Sequence, residues 1–339
     1  MKKILYSLLF FFFIGNSIAQ QTPADKQSTD YSIEGATAHL GNGQIIKNSL
    51  IMFSNGKIVF VGSANVRIAR RGTVIDAKGK HVYPGFIAAN ASLGLVEIDA
   101  VKASVDEDEI GVNNPHIRSL IAYNAESKIV ESMRPNGVLM AQITPRGGTI
   151  SGTSSIVQLD AWNWEDAAIK VDDAIHMNWP TSFKSGRWWL GEDPALKPDK
   201  NYSKNIASIK SYFTDAKNYL AGNHDKKHLP FLATKGLFNG KQKLFIHVSG
   251  QREITDAITI SKELGINNIV IVHGDEADKI SELLVKHNIP VILDRPHRNP
   301  KNEDDAYDYT YTIAKVLIDK GVLVSLGMEG QMERMNTRN

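Results

Sequence analysis

Three side chains stand at the ends of short apolar runs, where they could do chemistry. His247 closes Leu244-Phe245-Ile246, and His273 closes Ile269-Val270-Ile271-Val272. Glu329 follows Ser325-Leu326-Gly327-Met328. Two imidazoles and a carboxylate can hold one zinc ion and leave a position for water. Such a zinc would lower the pKa of that water toward neutrality and polarise a carbonyl, the chemistry that hydrolyses an amide or lactam. The plainer reading of a histidine at a strand end is a hydrogen-bonded cap, and that of a Glu near a chain end is a solvated side chain.

Arg146 is a second chemical candidate. It lies in Thr144-Pro145-Arg146-Gly147-Gly148-Thr149-Ile150-Ser151-Gly152-Thr153-Ser154-Ser155, a Gly-, Ser- and Thr-rich stretch after an apolar run. Such a loop either binds an anionic group through its backbone N–H groups and the guanidinium or serves as a flexible connection. It lacks the spacing of a P-loop or a dinucleotide fingerprint. His297, after Arg295-Pro296, is a candidate for lining a substrate pocket. His39, His116, His224, His228 and His287 read as surface residues. Trp162, Trp164, Trp179, Trp188 and Trp189 gather in one stretch, where they either floor a cleft or pack a large insert.

The frame that must position these groups is legible in the hydrophobic pattern. Ser32 to Ala38, Ser49 to Ser54, Ile58 to Val61 and Val74 to Ala77 read as short strands, and Asn55-Gly56 between two of them signals a hairpin. They point to a small β-sandwich. From His81 the character changes to buried strands: His81 to Asn90, Val138 to Thr144, Leu244 to Ser249, Asn268 to His273, Pro290 to Asp294 and Val322 to Leu326. Between the later ones run helical faces: Ile254, Ala257, Ile258 and Leu264; then Ala277, Ile280, Leu283 and Leu284; then Tyr309, Ile313, Val316 and Leu317, stopped near Gly321. Strands alternating with helices mean βαβ units and a parallel sheet. With no Gly-rich phosphate loop after an early strand, a barrel is preferred over an open doubly wound sheet. Residues 160–243, rich in Trp, Lys, Asn and Asp, read as a helical or irregular insertion.

Asn55-Gly56-Lys57-Ile58-Val59-Phe60-Val61-Gly62, followed by Val74-Ile75-Asp76-Ala77-Lys78-Gly79-Lys80-His81-Val82-Tyr83-Pro84-Gly85-Phe86-Ile87, resembles the amidohydrolase superfamily, and within it the imidazolonepropionase-related branch. The resemblance implies a (β/α)8 TIM-type barrel behind a small N-terminal β-sandwich domain, and one divalent metal, zinc by preference. It also places His247 and His273 as the single histidines of the fifth and sixth barrel strands, and Glu329 where the eighth strand carries a catalytic Asp, which implies a metal site of these three with Glu329 or Asp294 as base. The first strand of the family ends in His-X-His. Here that triplet is Asn90-Ala91-Ser92, so Asn90 and Ser92 are degenerate metal positions. Ten residues follow Glu329, so by the same resemblance the barrel reads as C-terminally incomplete.

The rest of the chain bounds these expectations. In its 339 residues, 42% are hydrophobic and 22% charged, with a formal net charge of +2. That balance suits a soluble globular protein, and without a basic stripe it gives no reason to expect nucleic acid. Lys2 and Lys3, the run Ile4 to Ile14 and the small residues Ser17 and Ala19 read as a secretory signal peptide over residues 1–19, since the run is shorter than the roughly 20 residues a membrane span needs. The layout is then residues 20–80 for a leader and the small β-domain, and 81–339 for the barrel with its insertion at about 160–243. The chain is expected to be exported, periplasmic or secreted, without disulfides, since it has no cysteine. Two functions fit: a metal-dependent hydrolase of non-peptide carbon–nitrogen bonds, taking a small molecule such as a cyclic amide and compatible with a homodimer; or an exported non-catalytic pseudo-amidohydrolase that binds a ligand or a partner.

Overall fold

A computed structural model describes residues 22–301 and 304–327. The signal-peptide segment, Met328 and Glu329 lie outside the described residues. The chain divides into two compact units, one up to Pro84 and one from Gly85. Among the described residues no helix is long and apolar enough to cross a membrane.

In the first unit β1 (Tyr31–His39), β2 (Ile45–Ser54), β3 (Lys57–Ser63), β4 (Thr73–Asp76) and β5 (His81–Val82) make one five-stranded sheet. β2 and β3 are the expected hairpin, and Asn55 and Gly56 take φ of 49° and 70° at its turn, the left-handed pair that a two-residue turn needs. β4 and β5 run parallel to β1. Ala36, Ala38, Leu50, Ile51 and Met52 are buried. The sheet accounts for one layer of the expected sandwich; a second layer is not among the described residues.

The second unit is built on eight strands: β6 (Phe86–Ala91), β7 (Val138–Ile143), β8 (Ile150–Gln158), β9 (Ala168–Asn178), β12 (Lys243–Val248), β13 (Ile269–His273), β14 (Val291–Asp294) and β15 (Val324–Gly327). The short strands β10 (Phe183–Lys184) and β11 (Lys197–Pro198) pair with each other outside this sheet. The eight follow one another round the sheet in chain order from β6 to β15. The edge strands nearly meet, since a β-carbon built on Gly327 would stand 3.8 Å from the Ala89 carbonyl. The result is an almost closed barrel.

Two expectations about this barrel are corrected. It is not all parallel, because β8 runs antiparallel to both β7 and β9. The second half of the Gly/Ser/Thr-rich stretch read as a loop, from Ile150 to Ser155, belongs to this strand. Residues 160–243 are also not wholly an insertion, since β9 within them pairs parallel with β12 as a barrel stave. The remainder does contain the expected helix, α1 (Tyr202–Ala221).

Alternation along the parallel strands sorts the core. Leu244, Ile246 and Val248 of β12, Ile269 and Ile271 of β13 and Ile175 and Met177 of β9 join one cluster with Ile209 and Phe213 of α1, with Ile254, Ala257 and Ile258 of α2 (Gln251–Glu263) and with Ile313 and Leu317 of α4 (Tyr309–Asp319). The opposite side chains, Ala174, Phe245, Val270, Val272 and Ile292, form a separate cluster with Ala89 inside the barrel. Between α2 and α4 lies the short α3 (Ser281–Lys286). Gly265 at φ 87° and Gly321 at φ 88° end α2 and α4, in the left-handed conformation that stops helices.

Candidate functional site

The interior carries a polar layer above its apolar floor. On β12, Phe245 points inward, and so, two residues on, does His247. His176 stands opposite Phe245 in the register and therefore shares that face. His176 Nδ1 and His247 Nε2 are 2.9 Å apart. His176 Nε2 lies 2.9 Å from the hydroxyl of Ser154 on β8, which in turn donates to the Ala174 carbonyl at 3.3 Å. All three side chains are buried. Gln142 on β7 extends the layer, with its amide 3.4 Å from Ser154 Oγ and its Oε1 accepting from the Asn90 backbone at 3.2 Å.

His273 reaches this layer only because its backbone breaks the alternation. The register sets it beside Val248, on the face opposite His247. At φ 75° it leaves the strand conformation, and its ring centroid comes within 5.4 Å of His247. A left-handed non-glycine residue stores strain, and such residues gather at functional sites. Asn90, at the end of β6, is a second one at φ 54°.

Asn90 and Ser92 are both buried. Arg146 forks onto Asn90, donating from Nη1 to its Oδ1 and from Nη2 to its carbonyl, each at 2.8 Å. The Arg146 charge has a consequence for the histidines. Burial, and then Arg146, hold His176 well below the ordinary imidazole pKa. Burial, and then His176, His273 and Arg146, do the same for His247. Both rings are neutral at physiological pH, and one N–H is shared between them.

A divalent metal fits the described residues poorly. Among them no group of three or more His, Cys, Asp or Glu is placed to hold one. Asn90 and Ser92 offer an amide and a hydroxyl, neither of which is a good zinc ligand. Two nitrogens at about 2.0–2.1 Å from a tetrahedral zinc would stand roughly 3.3 Å apart, whereas the 2.9 Å between His176 and His247 is a hydrogen-bond distance.

The structure thus brings His247, His273, Asn90, Ser92 and Arg146 to one end of the barrel. Asp294 closes β14 and lines a narrow cleft with His273. His297 is exposed, and its carbonyl accepts from Tyr311 at 3.2 Å. His116 is half-buried. The tryptophans do not form one floor: Trp179 is buried in the core, while Trp162, Trp188 and Trp189 are exposed. His176 and Gln142 carry no motif in the sequence, and Ser154 lies in the stretch read as a loop. The available signal for His176 was its place in the run Ala174-Ile175-His176-Met177.

An amidohydrolase from Thermotoga maritima matches 88% of this chain over 78% of its own, with a TM-score of 0.73 and 24% identity. The chain shares the fold of that amidohydrolase. A. niger ochratoxinase aligns with 89% of the chain at 13% identity, covering 76% of its own length with a TM-score of 0.44. A prolidase complexed with N-methylphosphonate-L-proline aligns with 90% at 12%, covering 80% of itself at 0.46. No protein-family model and no curated protein matches the sequence.

Proposed function

We propose that the chain is an exported hydrolase of the amidohydrolase type, in the imidazolonepropionase-related branch, acting on a non-peptide carbon–nitrogen bond of a small molecule such as a cyclic amide. The observation that carries this reading is the set of inward histidines on consecutive strands of an amidohydrolase-like barrel, with His247 and His273 at the C-terminal ends of the fifth and sixth. Active sites of such barrels lie at that end. A neutral imidazole there is in the form that accepts a proton from an attacking water, and Arg146 supplies a permanent positive charge to the same layer. The test is hydrolysis of a panel of lactams, hydantoins and N-acyl amino acids by the purified chain, before and after chelation, and by His247→Ala and His273→Ala. Turnover lost in both variants supports the reading; turnover unchanged in both rejects it.

The second reading, an exported pseudo-amidohydrolase that binds without turnover, is favoured by the Asn90–Arg146 clamp, since an amide held by a guanidinium occupies a place where the family carries a metal-ligating histidine. Saturable binding of a panel compound with no product after long incubation is its signature.

A further inference from the structure

The segments following β9, β12, β13 and β14 line an open-sided cavity of about 660 Å³. No histidine lines it, and neither does Arg146. It is contiguous with the cleft of His273 and Asp294, for the two share Asp275, Arg298, Tyr309 and Thr310. Its volume is in the range of roughly 300–1,000 Å³ typical of small-molecule sites.

The charges of its wall select the occupant. Among the described residues five carboxylates and three cations line it, five minus three leaving two negative charges. The cations are engaged within the wall: Arg298 and Lys301 both pair with Asp275, and Arg252 lies 5.2 Å over the Tyr202 ring and 3.9 Å from Asp256. Glu253 is held in place, its Oε1 accepting from the backbone N–H of Ser182 at 2.8 Å and from its hydroxyl at 2.5 Å. Burial would raise the Glu253 carboxyl, but the Ser182 donors, its own backbone N–H and the Arg252 charge together outweigh it and keep the group ionised. Phe183 and Leu196, 50% and 67% exposed, put apolar surface on the same wall.

We propose that this cavity binds a small molecule carrying a protonated amine and an apolar group, the amine against Glu253 and the apolar group against Phe183 and Leu196. Binding stands apart from the hydrolase reading; that the occupant is the substrate, with its scissile bond toward His273, rests on it.

The test is calorimetry with three probes of one shape: 2-phenylethylamine, 2-phenylethanol and 3-phenylpropanoate. The amine is expected to bind best and the carboxylate least. Glu253→Gln, which keeps an oxygen for Ser182, weakens the amine about tenfold, the scale of one charge-assisted hydrogen bond, and leaves the alcohol unchanged. Leu196→Ala, at an exposed site where the fold is indifferent, weakens the amine and the alcohol alike. The proposal is overturned by no amine binding at millimolar concentration, by carboxylate binding equal to the amine, or by an amine affinity that both variants leave unchanged. The double variant His247→Ala/His273→Ala separates the two readings: it should keep amine binding whether or not the parent turns anything over.

Discussion

His176 Nδ1 and His247 Nε2 face each other at 2.9 Å from neighbouring parallel strands, both rings buried. One must donate and the other accept, so two charged rings could not make the contact, and both stay neutral. Burial and the Arg146 charge keep them so. The folded state therefore binds fewer protons than the unfolded chain, whose imidazoles titrate near the usual value of 6.5. Stability is complete above that pH and falls below it, by up to about 1.4 kcal/mol per pH unit for each ring. Urea unfolding between pH 8 and pH 5 should show the loss, and His176→Gln should reduce it by one ring's share. A profile level across this range would contradict the arrangement.

Ser154→Ala removes the partner of His176 Nε2 and of the Ala174 carbonyl. A buried polar atom left unmade costs about 1–3 kcal/mol. The denaturation midpoint should fall with the slope unchanged.

Arg146→Met keeps the bulk of the stem and deletes the charge that helps depress both histidines. Their pKa values should rise from those of the parent, read from long-range imidazole ¹H–¹⁵N spectra. Because burial is the larger cause, both should still titrate below the ordinary value. No movement would show that the guanidinium is electrostatically remote.

Gly72 sits at φ 58°, and a β-carbon there would run into the Asp30 carbonyl, which accepts from Thr73 at 2.8 Å. Gly72→Ala should destabilise the first unit by more than about 2 kcal/mol, since the left-handed backbone alone costs roughly 1–2. Hydrogen exchange should lose protection at β1 and β4 and keep it at β12.

The sequence announced the fold where burial is uniform. β12, β13 and β14 are near-continuous apolar runs because parallel strands are covered on both faces, and the Asn55–Gly56 turn speaks through its backbone requirement. β8 was unreadable for the opposite reason. Its Ser and Thr residues sit in the core with hydroxyls satisfied locally, as Thr153 Oγ1 is by the Pro115 carbonyl at 2.7 Å, so their polarity mimics a loop. β9 was hidden by its first half, where Lys170, Asp172 and Asp173 interrupt the apolar pattern of Ile169 and Val171 before Ala174 to Met177. His176 was missed with it. His247 and His273 were recognisable because each closes an apolar run, but the hydrogen bond that engages His247 comes from a strand the sequence disguised.

The antiparallel course of β8 also bears on how the chain finds its barrel. The other barrel strands meet only after a crossover has closed, whereas β7, β8 and β9 are joined by the short segments 144–149 and 159–167 and can zip together as a meander. Short-range pairing pays little loop-closure entropy and forms fast. This meander is therefore expected to order before the later staves, with mutations in it slowing refolding, and to offer β12 the template edge on which the histidine layer is completed.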